Sequence, residues 1–245
     1  MYHIVGDSFV DLFCFLECDL PEVGGDALLL QPVTTMAGGS ASNSATHLAA
    51  LLDQFGVVGA NMAFYSSVNP NDEYGKLMLS HAEKHGINFI NCRKETSTQS
   101  TGHCVVMVTK DDRSFMTHEG CMESFEAADI PLTDMLHDGP AHLHVSGYFN
   151  MPGLWNGQLV AKLEALWNQR QLLGGGTCTT TISLVPQHDA SGDWDSGLMD
   201  MLPLLDFLIM NDLETQHMTG TDLTNDELLL HAAQSSLNPK APHSG

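Results

Sequence analysis

Residues 37–52 read AGGSASNSATHLAALL and decide the fold, because a glycine pair runs there directly into a helical pattern. Gly38 and Gly39 permit backbone conformations with positive φ and let a ligand approach the main chain closely. Apolar residues then recur with the spacing of one helical face, which predicts a helix that begins near Ser42. These apolar residues are Ala45, Leu48, Ala49 and Leu52. The stretch therefore predicts accessible backbone groups at the start of a helix.

Two polar side chains near this loop suit a ligand that is rich in hydroxyl groups. Asn43 supplies both a donor and an acceptor. Asp11 follows the first predicted strand, and an ionised carboxylate is a strong acceptor for hydroxyl groups. The predicted substrate-binding residues are therefore Asp11, Gly38, Gly39 and Asn43. A tight turn with a helix cap at Ser42 or Asn43 would explain the same loop, and this alternative stays open.

The rest of the chain alternates between predicted strands and helices, which indicates an α/β fold with a doubly wound, mostly parallel sheet. The predicted strands of the main sheet are residues 2–6, 57–62, 142–146, 180–185 and 207–210. A second helix is expected between Asp72, which caps it, and Gly86, which stops it. Further helices are expected at residues 155–173, 198–205, 213–219 and 227–235. Ligands of such sheets bind at the carboxyl ends of the strands.

Four further predicted strands do not alternate with helices and predict a small antiparallel β lid within residues 12–36 and 101–119. They are residues 13–18, 27–33, 102–109 and 113–119. Pro32 places the second of them at an edge, because proline cannot donate to a ladder. The stretch Lys110-Asp111-Asp112 predicts a β-hairpin between the last two. We predict that residues 1–245 form a single domain that includes this lid.

Composition argues against several classes of partner and location. Acidic residues outnumber basic ones 30 to 9, and the formal net charge of −21 argues against nucleic acid or an anionic membrane. No run approaches the roughly 20 apolar residues of a membrane span. Asp7 and Asp11 stand where a secretory leader would be apolar. The six cysteines form no CxxC pair, which favours reduced thiols. These features predict a soluble, cytoplasmic protein.

A second candidate site is the stretch NDLE, residues 211–214, which follows an apolar predicted strand directly. Asn211 and Glu214 are three residues apart and share one face of a starting helix. A carboxylate there suits a water molecule of Mg²⁺, which keeps several waters when it bridges phosphates. The alternative is a helix cap at Asn211 with Glu214 in solvent.

Other candidates are weaker. The stretch HLH at 142–144 places two histidines on one strand face, but no evident carboxylate or cysteine completes a metal site. The three glycines at 174–176 follow a predicted helix, which favours a helix stop over a phosphate-binding loop. The first strand leads into GDSFVD and not into GxGxxG, which disfavours a nucleotide-dependent dehydrogenase.

Taken together and in order, these segments resemble the ribokinase-like (PfkB) carbohydrate kinase family over nearly the whole chain. The segments that carry the resemblance are VGDSFVD, AGGSASNSA, NDEYG, STGHCVVMV, DDRSFMTHEG, HLHVSGYF, TTTISL, PQHDASGDWD and LIMNDLETQHMTG. The resemblance implies a Rossmann-like core with a β lid that closes over a sugar or nucleoside. It also implies transfer of the γ-phosphoryl group of ATP to a substrate hydroxyl.

The family's functional residues carry over at matching positions. The resemblance implies that Asp11, Gly39 and Asn43 bind substrate hydroxyls. It also implies that Asn211 and Glu214 organise the ATP phosphates and Mg²⁺, with Glu214 on the metal side. A homodimer formed through the lid is a further implication.

The sequence departs from the family at one signature, a Gly-Ala-Gly-Asp-type turn into a helix. In the family, that turn stabilises the transferred phosphoryl group, and its aspartate takes the proton from the attacking hydroxyl. No GxGD occurs in this sequence, so no catalytic residue is assigned and we expect the chain to be C-terminally incomplete. Val185 stands where members often carry an acidic residue. A protein that binds a sugar or nucleoside without phosphorylating it is the alternative function.

Overall fold

The structure is a computed structural model that describes residues 1–57, 61–131, 141–172 and 180–220, with the side chains of residues 169–172 left out. Its strands are β1 (Tyr2–Gly6), β2 (Phe9–Phe15), β3 (Thr34–Gly38), β4 (Met62–Ser66), β5 (Asn88–Asn91), β6 (His103–Val108), β7 (Arg113–His118), β8 (His142–Ser146), β9 (Thr181–Val185) and β10 (Phe207–Leu208). Its α-helices are α1 (Ser40–Gln54), α2 (Glu73–Lys84), α3 (Gln158–Leu172) and α4 (Asp212–Thr219).

Six parallel strands form the main sheet, in the order β10-β9-β8-β1-β4-β5. The chain builds outward from β1 to β4 and β5, and later returns to the other side of β1 through β8, β9 and β10. The strand order therefore reverses between β1 and β8. In open parallel sheets, a crevice forms beyond the carboxyl ends of the strands at such a reversal, and it is the usual place for a ligand. The predicted doubly wound α/β fold is confirmed.

Hydrophobic residues cover both faces of the main sheet, as parallel strands require. On one face, Leu143 and Val145 of β8 pack in a large cluster with Leu159 and Leu163 of α3. On the other face, residues from β1, β4, α1 and α2 form a smaller cluster. This second cluster includes Ile4, Ala41, Ala45, Phe64 and Ala82. The helix α1 is thereby fixed against the centre of the sheet, with its first turn at the reversal.

The lid is a four-stranded sheet in the order β3-β2-β6-β7. Its outer pairs, β2 with β3 and β6 with β7, are antiparallel, whereas β2 and β6 are parallel. The predicted lid is therefore present but mixed, because its two halves come from distant parts of the chain. The hairpin of β6 and β7 lies at the predicted place, and β3 is an edge strand.

The first two lid strands, β2 and β3, do not match the predicted bounds. The strand predicted at 13–18 runs from Phe9, and residues 27–33 form no strand; β3 follows them at Thr34–Gly38. The apolar residues of this stretch are largely exposed, and Leu29 makes only an isolated bridge with Leu16. Pro32 has no N–H to donate, so the ladder begins beyond it, where two threonines favour an extended chain. The lid therefore reaches beyond the range 12–36 at both ends.

Other boundaries shift by a few residues. Strand β4 begins at Met62, where the strand predicted at 57–62 ends, and residues 58–60 lie outside the described part. The helix predicted at 198–205 is a 3₁₀ helix, Met199–Leu204, because Pro203 within it cannot donate an α-helical hydrogen bond. Asp72 caps α2 as predicted, by accepting from the Gly75 N–H at 2.6 Å.

Some sequence-based predictions fall outside the described residues. These are the helix at 227–235, the glycines at 174–176 and Cys178. Among the helices that the structure describes, none combines the length and the apolar character needed to cross a membrane.

Candidate functional site

The reversal point of the main sheet is filled by a side chain that the sequence analysis did not assign to the site. Asp7 follows β1 directly and is 1% exposed. Its Oδ1 accepts from the Ala41 N–H of α1 at 2.9 Å, and its Oδ2 accepts from the Asn150 Nδ2 at 2.7 Å. Burial raises the pKa of the Asp7 carboxyl to about 6, although these hydrogen bonds lower it in part. Asp7 thus joins β1, α1 and the chain after β8.

The backbone around Asp7 leaves no room for other side chains. Gly147 adopts φ +80, and a Cβ there would lie 2.4 Å from the Asp7 carboxyl carbon. A Cβ on Gly6 would lie 2.0 Å from the Ser146 carbonyl oxygen. The sequence offered a clue to this arrangement, because an aspartate directly after a glycine that ends a strand stands at a ligand-binding edge. Its long-range partners could not be foreseen.

Asp11 lies next to the glycine pair, as the sequence predicted for a shared site. A Cβ on Gly38 would lie 2.2 Å from Asp11 Oδ2, so only a glycine leaves this carboxylate in place. Burial raises the pKa of the half-buried Asp11 carboxyl to about 6. The charge of Asp11 also raises the pKa of Asp7, although burial is the larger cause. Because burial removes water that would stabilise the charged form, each carboxyl group holds its proton more tightly than in water.

The start of α1 excludes the alternative of a local helix cap at Ser42 or Asn43. Gly39 is the N-cap residue, with φ +92, and it makes no side-chain capping bond. Instead, the Ala41 N–H donates to the Asp7 carboxylate, and the Ser42 N–H donates to the Asp7 backbone oxygen. Asn43 is exposed on the first turn of α1.

Three further polar residues connect α1 to the ends of β8 and β9. Ser40 Oγ and Ser146 Oγ are 2.6 Å apart, and Gln187 Nε2 donates to Ser40 Oγ at 2.9 Å. Gln187 adopts φ +71, a left-handed conformation that costs roughly 1–3 kcal/mol in a residue other than glycine. Strain of this kind often accompanies functional sites. The sequence analysis missed these residues, since only folding brings residues 40, 146 and 187 together.

The second predicted pair, Asn211 and Glu214, is brought together at the start of α4. Glu214 N–H donates to Asn211 Oδ1 at 2.9 Å, while Asn211 N–H and Nδ2 donate to the two Glu214 oxygens at 3.2 and 2.8 Å. The helix cap at Asn211 is therefore real. The alternative of Glu214 in solvent is wrong, because Glu214 is 5% exposed and burial raises its pKa above the usual range.

Aromatic rings pack beside Glu214. The His217 ring of α4 stacks on Trp194 with a centroid distance of 4.4 Å and an interplanar angle of 4°, and His188 meets the same indole edge-on. The charge of His188 lowers the pKa of Glu214 in part. Trp194 adopts φ +57, and its backbone N–H donates to the buried Asp189 carboxylate at 2.6 Å. The chain after β9 is thus held tightly against α4.

The donor set around Glu214 suits a metal ion held through water. Each Glu214 oxygen accepts one hydrogen bond from Asn211 and keeps capacity for another. In the described part of the chain, no three His, Cys, Asp or Glu side chains converge as a metal site. The remaining acceptor capacity of the Glu214 carboxylate would fit a water ligand of Mg²⁺.

The HLH stretch is explained without a metal. His142 is hydrogen-bonded to Thr181 Oγ1 at 2.7 Å and to Ser183 Oγ at 2.8 Å. His144 contacts Ser183 Oγ at 2.7 Å and Ser44 Oγ at 3.2 Å. Burial lowers the pKa of His144 to about 4, so this histidine is neutral near pH 7. The two rings form a polar ladder across β8 and β9.

Comparisons with known proteins agree with this architecture. A family model described as pfkB family carbohydrate kinase matches residues 6–241. An adenosine kinase of Schizophyllum commune is 26% identical over 219 residues, which are 86% of this chain and 58% of that protein. The chain thus spans little more than half the length of this curated relative.

Two solved structures show the same fold. A ribokinase from Giardia lamblia aligns with a TM-score of 0.74 and 19% identity, over 97% of this chain and 67% of that one. A ribokinase from Arabidopsis thaliana, complexed with ribose and ATP, aligns with a TM-score of 0.63 and 19% identity, over 96% and 67%. Because the family model covers nearly the whole sequence, the chain belongs to the pfkB family of carbohydrate kinases.

Proposed function

We propose that the protein transfers the γ-phosphoryl group of ATP to a hydroxyl group of a sugar or nucleoside. The observation that carries this proposal is the position of the Asp11 carboxylate over Gly38, where the lid strand β3 runs into α1 at the reversal of the main sheet. Family membership supports the reaction class.

On the substrate side, Asp11, Gly38, Gly39 and Asn43 bind the hydroxyl groups. The Asp11 carboxylate accepts hydrogen bonds from two neighbouring hydroxyls, and the Asn43 amide donates to one and accepts from another. Gly38 and Gly39 let the substrate approach the main chain. Half-burial of Asp11 strengthens these bonds, because a lower local dielectric strengthens charge-assisted hydrogen bonds.

On the phosphate side, Asn211 and Glu214 organise ATP and Mg²⁺. Bound Mg²⁺ supplies charge neutralisation for the phosphates. Glu214 would hold the ion, and Asn211 keeps the Glu214 carboxylate in place through their paired hydrogen bonds. The Arabidopsis ribokinase is complexed with ribose and ATP, and we propose the same two ligand classes for this chain.

The alternative is a protein that binds the substrate without phosphorylating it. It is favoured by one observation, namely that no Gly-x-Gly-Asp occurs in the 245-residue sequence. A general base contributes roughly 10²–10⁴ in rate, and one preorganised anion donor about 10²–10³. A chain without these groups is expected to bind its substrate but to transfer phosphoryl groups far more slowly.

A two-part assay separates these functions. Isothermal titration calorimetry of the 245-residue chain with ribose, fructose and adenosine measures binding, and a coupled assay with ATP and Mg²⁺ measures ADP release. Binding with substrate-dependent ADP release supports the kinase, and binding without it supports the alternative. If no member of the panel binds, the substrate-binding role proposed for Asp11 and Asn43 is refuted.

The lid also suits a homodimer. Apolar side chains are exposed on it and on the loop beside it, including Met36, Phe115, Met116, Leu28 and Leu30, with exposures of 53–75%. We propose that a second copy covers them, and sedimentation velocity of wild type and Phe115→Glu tests this. A monomeric wild type would refute it.

The cytoplasmic location expected from the sequence stays a prediction.

A further inference from the structure

We propose that Asp7 is a specificity-determining residue, whose carboxylate occupies the anion-binding position of α1 and restricts the site to uncharged polyols. Sugar phosphates and sugar acids are rejected. This inference rests on the proposed function, and it narrows the substrate class of the same site. It follows from where the Asp7 carboxylate lies and from which charges surround it.

The N-terminus of a helix at the reversal of a parallel sheet is ordinarily a site for a phosphate or carboxylate group. Its free N–H groups and the helix dipole attract negative charge. The first turn of α1 contains no acidic residue of its own, and Gly39 makes no side-chain cap. The Ala41 N–H donates to Asp7 Oδ1, and the Ser42 N–H donates to the Asp7 backbone oxygen. Donors that would otherwise receive an anionic ligand are therefore already used.

The Asp7 carboxylate is fixed in this position from the opposite side. Asn150 donates to its Oδ2, and Gly147 packs directly against the carboxyl group. With 1% exposure, the side chain is held away from solvent at the end of the helix. An incoming anion would have to displace a hydrogen-bonded, buried carboxylate.

The charge of the surroundings acts in the same direction. Asp11 is a second carboxylate on the substrate side, close enough to influence Asp7. Among the described residues, no lysine or arginine pairs with either of them. The pKa values of about 6 leave both groups mostly ionised at pH 7.5. Within the described ranges, an anionic substrate therefore meets two carboxylates that no lysine or arginine pairs with, whereas a neutral polyol meets two hydrogen-bond acceptors.

A purely structural role for Asp7, as a long-range helix cap, makes a different prediction. Removal of a cap lowers the stability of the protein and weakens the binding of every ligand to a similar degree. A specificity role changes the ratio between a neutral ligand and its charged counterpart. The informative quantity is therefore the ratio of two dissociation constants measured on one variant, not either constant alone.

The first test uses the 245-residue wild type and matched ligand pairs at pH 7.5 in calorimetry. The pairs are ribose with ribose 5-phosphate, fructose with fructose 1-phosphate, glucose with gluconate and adenosine with AMP. In each pair whose neutral member binds, we expect the charged member to bind at least about tenfold more weakly. Equal or tighter binding of a charged member overturns this inference and leaves the proposed function intact. If neither member of any pair binds, both are overturned.

The second test uses Asp7→Asn, which preserves the shape of the side chain and removes its charge. An asparagine oxygen can still accept from the Ala41 N–H, and a flipped Asn150 amide can present its oxygen to the new NH₂ group. We expect the ratio of the dissociation constants, charged ligand over neutral ligand, to fall at least about threefold relative to wild type. An unchanged preference refutes the role of Asp7.

The matched control is Asp53→Asn, in the last turn of the same helix, which removes one negative charge far from the site. We expect this variant to keep the wild-type preference, and an equal fall in it would assign the effect to net charge and refute the inference. Circular dichroism confirms folding. If Asp7→Asn does not fold, Asp7→Ser replaces it, because a serine hydroxyl also accepts from helix N–H groups.

Discussion

The substrate side and the phosphate side of the candidate site are built in opposite ways. On the substrate side, Asp7 and Asn150 are 143 positions apart in sequence, and their contact exists only because β1 and β8 are neighbours. On the phosphate side, Asn211 and Glu214 are three residues apart and hold each other within one turn of α4. The first side therefore depends on the whole sheet, whereas the second depends on a local motif. Substitutions on the two sides should therefore differ in the size of their effects and in how far through the protein those effects extend.

The largest effect is expected at Gly147, where the substrate side is most tightly packed. In Gly147→Ala the new Cβ would overlap the Asp7 carboxyl group, and the residue would have to keep φ +80. We expect the free energy of unfolding to fall by about 3 kcal/mol or more, from backbone strain and overpacking together. Urea denaturation measures it.

Gly157→Ala is the matched control for this prediction. Gly157 also has a positive φ, +83, but a Cβ there would meet no atom within 4 Å. Only the backbone strain remains, and we expect a loss of roughly 1–2 kcal/mol. Equal losses in the two variants would show that packing against Asp7 contributes nothing.

The next effect is a pH dependence that originates on the substrate side. Burial raises the pKa of Asp7 from 3.8 to about 6, so the folded protein binds this proton more tightly than the unfolded chain. The contribution of Asp7 to stability is therefore highest below pH 4, falls between pH 4 and 6 and is constant above. Two pKa units correspond to about 3 kcal/mol.

Urea denaturation of wild type and Asp7→Asn across pH 4–7.5 tests the sign. The difference between the two should change over this range, with the wild type losing stability relative to the variant as the pH rises. Asp11 acts on Asp7 and titrates in the same range, because its pKa is also about 6. A constant difference would contradict the raised pKa of Asp7.

A smaller effect is expected on ligand affinity. Asp11→Ala removes a charged acceptor from the substrate, and we expect a loss of about 2 kcal/mol, which corresponds to roughly 30-fold weaker binding. Asn43→Ala removes neutral hydrogen bonds worth about 1 kcal/mol, or roughly fivefold. Calorimetry with the sugar or nucleoside that binds best to wild type measures both. Unchanged affinity in both variants would refute the substrate site.

The smallest effect is expected on the phosphate side. Asn211→Ala removes the cap of α4, which costs about 1 kcal/mol of stability. Because the paired hydrogen bonds are confined to one turn, the affinity for the sugar or nucleoside should not change. Urea denaturation and calorimetry measure the two quantities. A loss of sugar affinity equal to that of Asp11→Ala would show that the two sides are coupled more closely than their contacts indicate.

The same contrast explains how much could be predicted from the sequence. The shared helix face of Asn211 and Glu214 and the cap at Asp72 follow from spacing alone, so both could be predicted, whereas the reciprocal hydrogen bonds of the first pair could not. The parallel sheet could also be predicted, because the alternation of strands and helices is likewise a local pattern in the sequence. Asp7 and Gln187 were missed as site residues, because their roles come from neighbours that are distant in sequence.

The errors in the lid have a related cause. The apolar run at 27–33 has the composition of a buried strand, yet most of its side chains are exposed. Hydrophobic composition predicts a strand only when the fold provides a neighbouring strand to pair with. Thr34–Gly38 is less hydrophobic but lies beside β2, and this pairing decides the outcome. The parallel pairing of β2 with β6 could not be predicted either, because these two strands are far apart in the sequence.

The connections between lid and core differ greatly in length, which bears on how the protein can be engineered. Two residues join β1 to β2, and Gly39 alone joins β3 to α1. By contrast, the loop from residue 17 to 33 is almost entirely exposed and meets the lid near Leu29 and Leu30. An epitope tag or a new chain terminus near Gly24, where a Cβ would meet nothing, should be tolerated, whereas an insertion of one residue at Gly39 should not.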